Sequence, residues 1–295
     1  MNVLVLGATG TIGTAVTGEL LRAGHDVLAL SRSERADSKL RGQGAAVLRG
    51  DLRQPSEWCN AVADCDTVVQ VAATFEDDMG PVDLNLLKTL ERALVRSGRR
   101  IKIIYTGGCW LYGATGDAVA DETFPFRPIA PFSWMVDNAA FLSGSPSFDT
   151  TIIHPAMVYH ANGGVVARYI AQAKAGGPVE IWGSPDARWP LVHRDDLAVA
   201  YRILVEQTKL TGHFNVAAEA GVRTGAIAAA ISAHFGLSDR PVTRSVREVT
   251  GEYGAWAEGP TLDQQMSAKK FREAGKWVPR HLSFFNSITV AGSDS

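Results

Sequence analysis

The sequence predicts an α/β fold: a doubly wound parallel sheet with a smaller lobe on its C-terminal side. Three observations lead there. Short β-branched runs alternate with helix-period segments up to about residue 155, the alternation that builds parallel sheets covered by helices. The chain opens with a strand-like run that breaks into a glycine-rich turn, "MNVLVLGATGTIG", and continues as an amphipathic helix. Beyond residue 155 the pattern loosens into helical periods separated by segments such as "GGPVEIWGSPDARWP".

Asn2 to Leu6 reads as a buried first strand. Ile12, Val16, Leu20 and Ala23, spaced four, four and three apart, line one face of the following helix. Gly24 ends that helix. Val27 to Leu30 is a second strand, Ala45 to Leu48 a third and Asp66 to Val71 a fourth. A helix carrying Leu87, Leu90 and Leu94 leads to a fifth strand at Ile101 to Tyr105, and Thr151 to Ile153 supplies a sixth. Later helices are expected at Val165 to Ala173, at Leu197 to Val205 and around Ile227, Ile231 and Phe235. Phe214 to Val216 returns as a last strand of the sheet. The expected organisation is a Rossmann-type core over residues 1–155, rejoined by a strand near 213–216, with a lobe over 156–295 interleaved with it.

With 46% hydrophobic and 20% charged residues among 295, the chain has material for a sizeable core and lacks the composition of a disordered one. A formal charge of −2 gives no basic footprint for nucleic acid. No apolar run reaches the length of a membrane span. No basic segment precedes the first apolar run, so no secretory signal is expected. Cys59, Cys65 and Cys109 make no framework of pairs, and the seven histidines show no metal-ligand spacing. The expectation is a cytoplasmic protein without metal, monomeric or homodimeric, that takes a small molecule and neither nucleic acid nor membrane.

The glycine turn has the right context on both sides. In "GATGTIG", Gly7 permits a tight turn, Gly10 lets the backbone approach a pyrophosphate, and Gly13 lets the helix pack close to the strand. The helix N-terminus then offers unpaired N–H groups and a positive dipole end to phosphates. A dinucleotide is the ligand this predicts.

The spacing Gly-x-x-Gly-x-x-Gly resembles that of the short-chain dehydrogenase/reductase superfamily, and more narrowly its extended or atypical, NAD-dependent epimerase/dehydratase-like branch. The likeness continues through "GDLRQP", "DTVVQVAAT", "YTGGCWLYG", "IIHPAMVYH" and "LVHRDDLA", in family order across residues 1–216. The resemblance sets Gly7, Thr9, Gly10, Thr11, Ile12, Gly13, Ser31, Arg32, Asp51, Leu52, Ala72, Ala73, Thr106, Pro155 and Met157 against a nicotinamide cofactor. Asp51 and Leu52 cap the adenine in that alignment. Enzymes that prefer NAD often carry an acidic side chain at the end of the second strand. Here that end reads "LALSRSE", with Ser31 and then Arg32, whose guanidinium suits a 2′-phosphate. NADPH is the expected cofactor, with NADH left open.

The family's chemistry rests on Ser/Thr, Tyr and Lys, the last two spaced Tyr-x-x-x-Lys. Four residues beyond Tyr105, Tyr112, Tyr159, Tyr169, Tyr201 and Tyr253 stand Cys109, Gly116, Gly163, Ala173, Val205 and Ala257. None is lysine. The expected helix begins near "APFSWMVDNAAFL", where the pair would be Phe132/Val136, Ser133/Asp137 or Trp134/Asn138. The family serine aligns with Gly108. Three readings compete: a hydride-transfer enzyme without the usual protein acid, an NADP(H)-binding sensor that does no chemistry, or an epimerase or dehydratase using other groups. The third needs a base that is missing.

Gly108, Cys109, Trp110, Tyr112, Phe132, Trp134, Asn138, Met157, Tyr159 and Arg188 fall in segments that the resemblance sets around the substrate. The aromatic members suggest a slot for a flat, polycyclic compound. Ser133, Tyr112, Tyr159 and His160 are the polar groups to weigh as proton donors, although none stands in a triad position. His154 reads as structural, and Asp195 and Asp196 as caps of the helix that follows. Hydride transfer needs the carbonyl carbon aligned and its oxygen polarised. A phenol beside the ketone achieves the second through an internal hydrogen bond. In this respect the chain resembles atypical ketoreductases that tailor phenolic aromatic polyketides of the angucyclinone type. That resemblance implies reduction of a polycyclic aromatic ketone to an alcohol in antibiotic biosynthesis.

Overall fold

A computed structural model describes every residue except 74–75, 162, 238–240 and 291–295. In chain order it contains β1 (Asn2–Leu6), α1 (Thr11–Arg22), β2 (Asp26–Ser31), α2 (Glu34–Gln43), β3 (Ala46–Arg49), β4 (Thr67–Gln70), α3 (Met79–Ser97) and β5 (Ile101–Thr106). Then come α4 (Trp134–Gly144), β6 (Phe148–Pro155), β7 (Met157–His160), β8 (Gly163–Gly164), α5 (Ala167–Lys174), β9 (Glu180–Trp182), β10 (Arg188–His193) and α6 (Arg194–Glu206). The chain finishes with β11 (Gly212–Val216), β12 (Glu219–Arg223), α7 (Thr224–His234), β13 (Val242–Arg244), α8 (Val246–Tyr253), α9 (Lys269–Gly275) and α10 (Phe284–Val290).

The strands expected from the β-branched runs pair as a seven-stranded sheet in the order β11-β6-β5-β4-β1-β2-β3. The five pairings from β6 through to β3 are parallel. The order reverses beside β1, so the carboxyl ends of β1 and β4 flank the crevice where open α/β sheets take their ligands. Leu87, Leu90 and Leu94 of α3 bury fully with Leu4, Leu6, Val68, Ile103 and Leu142 in one apolar core. Each such leucine contributes about 2 kcal/mol through removal from water.

The chain divides into two compact units. The first comprises Met1–Gly107, Trp134–Ile153 and Leu197–Phe214, and the second Gly108–Ser133, His154–Asp196 and Asn215–Ser295. The division differs in two places from the expected core over 1–155 with its return strand near 213–216. Residues 108–133 leave the first unit as a 26-residue excursion, and most of α6, expected in the lobe, belongs to the sheet-containing unit. Hydrophobic periodicity reports that a helix is buried without reporting against what. Two smaller sheets lie in the second unit, one in the order β12-β10-β7-β8 and one of β13 with β9. Among the described residues no helix is long and apolar enough to cross a membrane. Cys59, Cys65 and Cys109 are buried free thiols.

Lys102 on β5 shows how the first unit closes on itself. It is almost fully buried, and its ammonium donates to the carbonyls of Gln207, Thr208 and Leu210 at 3.1, 3.2 and 2.8 Å. Burial lowers its pKa to about 8. Lys102→Met leaves these carbonyls without their donor and is expected to lower stability by about 2 kcal/mol, measured by urea denaturation.

Candidate functional site

Gly7 turns the chain out of β1 at φ +88°. A Cβ there would stand 2.7 Å from the backbone N and Cα of Ala72. Gly13 is tighter, since its Cβ would lie 2.0 Å from the carbonyl oxygen of Gly7. Gly10 would meet only that oxygen, at 3.4 Å. Its N–H donates to Gly7 O at 3.1 Å and its carbonyl accepts from Thr14 N at 2.9 Å. Gly10 is the N-cap of α1 in extended backbone, and no side chain caps the first turn. The N–H groups of that turn are therefore available to an anion, with the helix dipole behind them. This cradle fits a dinucleotide pyrophosphate, and Thr9, Thr11 and Ile12 supply its rim.

The ribose side lies at the end of β2. Ser31 is buried and its hydroxyl donates to Ser33 O at 3.2 Å. Arg32 is exposed and makes no hydrogen bond or ion pair among the described residues. Lys39 of α2, absent from the sequence expectations, reaches over the glycine turn, with its ammonium 3.1 Å from Thr14 Oγ1 and 3.4 Å from Thr9 O. Its signal is faint in sequence, because nothing in a solvated lysine shows which loop it crosses. Asp51 accepts Arg53 N–H at 2.8 Å, and its carbonyl accepts the Trp58 indole, also at 2.8 Å. Arg53 is ion-paired in turn with Asp78.

Behind the turn lies a buried polar group that the sequence did not announce. Asp83 of α3 accepts from Gln70 Nε2 and Tyr105 OH, each at 2.7 Å, and from Asn138 Nδ2 at 2.8 Å. Burial pushes its pKa up against these three donors. Gln70 also accepts Ala72 N–H at 3.1 Å, fixing the Ala72–Ala73 segment that backs Gly7. The Thr106 hydroxyl donates to Gln70 O at 2.7 Å and lies 2.6 Å from Tyr201 OH. Two expectations change here. Asn138 is 3% exposed and its amide is committed to Asp83, so it is a scaffold residue and no substrate ligand. Trp134, at the start of α4, packs against Gly80, whose Cβ would meet its ring at 2.7 Å.

The remaining substrate-side residues belong to the second unit and fall into separate clusters. Trp110 and Phe132 meet with ring centroids 5.4 Å apart. Cys109 is buried beside them, its thiol pushed up to about 12 by desolvation, and Gln264 Nε2 donates to Cys109 O and Gly113 O at 2.8 and 2.6 Å. Tyr112 instead packs on Phe124, Phe126 and His154, and its OH donates to Asn215 Oδ1 at 2.7 Å. Burial raises its pKa further. Tyr112 is thus a core phenol rather than a proton donor, and the buried His154 ring packs against it.

Tyr159 is edge-on to His193 and Phe284, with its OH 3.3 Å from Ser287 Oγ, and burial pushes it up to about 12. Met157 pairs with Leu191 in the strand ladder and is buried there. Ser133 Oγ donates to Ala130 O at 3.0 Å, which occupies its proton. His160 is partly buried, beside Gly163, and desolvation lowers its pKa. Arg188 is held by Asp263 at 2.7 Å and Asp117 at 3.1 Å, so its guanidinium is not free for substrate. Asp196 is no helix cap. Its carboxylate accepts the N–H groups of Arg280 and His281 at 2.9 and 2.8 Å, fastening the C-terminal segment. The resemblance set the aromatics in one slot, but the fold packs Tyr112 and Tyr159 among other rings.

A parallel sheet with a glycine cradle at the end of β1 defines a dinucleotide-binding α/β protein. The model of the NAD dependent epimerase/dehydratase family matches residues 3–217, and the chain belongs to that family. It is an NAD(P)-dependent oxidoreductase of that family. It is similar to an uncharacterised protein of Schizosaccharomyces pombe, 25% identical over 98% of each chain. A dTDP-4-dehydro-6-deoxy-D-allose reductase from a Streptomyces species is 29% identical, covering 95% of this chain and 97% of that one. The crystal structure of human epimerase family protein SDR39U1 with NADPH superposes with a TM-score of 0.80 at 20% identity, covering 100% of both chains, a likeness of fold.

Two outcomes test this geometry. Gly13→Ala is expected to lower stability by about 2 kcal/mol or more and to weaken dinucleotide binding, read by thermal denaturation and cofactor titration. His193 stacks on His281 at 3.7 Å, and burial, then the His281 charge, depress its pKa to about 4 from an ordinary 6.5. The unfolded chain therefore binds this proton at higher pH than the folded one, so stability falls as pH drops through that interval. His193→Gln should flatten the loss by about 1–3 kcal/mol in unfolding measured from pH 7 to 4.

Proposed function

We propose that this chain is an NADPH-dependent ketoreductase that reduces a ketone of a polycyclic, phenol-bearing aromatic compound to an alcohol. The observation that carries the reading is α4. In the registers that the resemblance allows, the family's tyrosine and lysine fall on Phe132/Val136, Ser133/Asp137 or Trp134/Asn138, and in the last of these the Asn138 amide is locked onto Asp83 at 2.8 Å. None of these registers holds a tyrosine–lysine pair. The reaction therefore falls to a ketone that activates itself, and a phenol hydrogen-bonded to the carbonyl does so. The Trp110–Phe132 pair supports a flat aromatic ligand.

The glycine cradle, Arg32 and Lys39 hold the cofactor in this reading. When bound, the reduced nicotinamide supplies the hydride. Arg32, unpartnered at the tip of β2, and Lys39 above the turn favour the 2′-phosphate of NADPH. The NADPH in the human structure and the reductase among the relatives support cofactor and reaction type.

Arg32→Ala is expected to raise the Michaelis constant for NADPH about tenfold or more while moving that for NADH little. An unchanged NADPH constant sinks the cofactor assignment. A panel of phenolic polycyclic ketones, run beside a dTDP-4-dehydro sugar, tests the reaction. Turnover of the sugar alone replaces the substrate class. NADPH binding without turnover of either turns the reading into that of a non-catalytic NADP(H) binder.

A further inference from the structure

The strand beside β2 ends on a second arginine. Arg49 closes β3, and its Cα is the ladder partner of Ser31, the last residue of β2. One step further, Gly50 N–H donates to Ser31 O at 2.9 Å, so the two strands stay paired past their ends. Arg32 follows Ser31 directly, and α2 starts two residues later. The turn between them is fixed. The Ser31 hydroxyl donates to Ser33 O at 3.2 Å, and Ser33 caps α2 by accepting Ala36 N–H at 3.3 Å. Arg32 and Arg49 therefore leave the backbone from neighbouring points on one edge of the first unit.

Arg49 is the anchored cation of this edge. Asp37, buried in the first turn of α2, accepts from Arg49 Nη1 at 3.0 Å. That bond uses one of five guanidinium N–H groups, and half of the side chain remains exposed. Arg35 and Arg41 of α2 are exposed too, but neither makes a hydrogen bond or ion pair among the described residues. Lys39 bonds Thr14 Oγ1 and Thr9 O on the glycine turn. In dinucleotide folds the ribose hydroxyls meet the end of β2. A phosphate monoester there carries between about −1.5 and −2 charge near pH 7 and presents three acceptor oxygens, a set that arginine forks match in pairs.

We propose that Arg49, held by Asp37, is a second arginine for the 2′-phosphate of NADPH and a determinant of the preference for NADPH over NADH. This rests on the NADPH reading and deepens it. Arg32 supplies an unattached fork and Arg49 an anchored one. The bond to Asp37 orders the Arg49 guanidinium before the nucleotide arrives, which reduces the side-chain entropy lost on binding. NADH has a hydroxyl where the phosphate stands, and Arg49 adds little to its affinity.

The test is calorimetric titration of the full-length protein with two cofactor fragments. One is 2′,5′-ADP, which carries the phosphate, and the other is 5′-AMP, which lacks it. The parent should bind 2′,5′-ADP about tenfold more tightly or better. Arg49→Gln, which keeps a donor for Asp37, should lose about tenfold in 2′,5′-ADP affinity and less than about twofold in 5′-AMP affinity. Should that variant melt well below the parent, Arg49→Lys takes its place, with an expected loss of about threefold or more for 2′,5′-ADP alone. A variant with the parent's affinity for 2′,5′-ADP overturns the inference and leaves the NADPH reading to Arg32. An equal loss for both fragments makes Arg49 an adenosine contact and overturns its role in discrimination. A parent that binds the two fragments alike overturns both readings.

Discussion

Gly13 sits so close to the carbonyl oxygen of Gly7 that a β-carbon would stand 2.0 Å from it, and one on Gly7 would stand 2.7 Å from the backbone of Ala72. These two approaches hold three segments together at the carboxyl ends of β1 and β4. The first sets the N-terminus of α1 against the turn, so that backbone N–H groups and the helix dipole face the same point. The second makes Ala72 the floor of the turn. Gln70 pins that floor through the Ala72 N–H, and Asp83 in turn pins Gln70. The phosphate cradle, β4 and α3 are thereby one hydrogen-bonded assembly.

α4 joins the same assembly through Asn138. A lysine at position 138 would replace one of the three neutral donors of that carboxylate with a cation, leaving the other two in place. Asn138 completes the group instead. α4 thereby supports the Asp83 group and, through Gln70, the floor of the glycine turn. In the second unit, the fold commits Tyr112 and Tyr159 to packed contacts and Arg188 to an ion pair with Asp263, while Trp110 Nε1 has no acceptor.

The sequence carried the sheet well, because buried parallel strands are short β-branched runs and their helices bury leucines at a fixed period. β1, β2 and β5 fall within a residue or so of their expected limits, and Gly24 closes α1 in positive φ. The glycine cradle was legible for the same reason: a missing side chain is a property of one residue. Relations between distant residues were not. Nothing local distinguishes Asp83 as the acceptor of three donors, or Lys39 as the lysine that crosses the turn. The resemblance sets Tyr112 and Tyr159 in an aromatic slot because it places segments without recording which neighbours each ring meets. The excursion of 108–133 escaped because turns and loops carry no label for the unit they join.

Lys102 bears on how the gene can be cut. Its ammonium grips carbonyls at 207, 208 and 210, and Thr151 Oγ1 reaches the last of these at 2.6 Å. An N-terminal fragment ending where the early strand–helix alternation stops would strand a buried cation and shed the edge strand β11. The nucleotide-binding half is therefore not a transplantable cassette. Chimeras that exchange only the excursions, and keep residues 197–214 with their own sheet, respect the seams the fold provides.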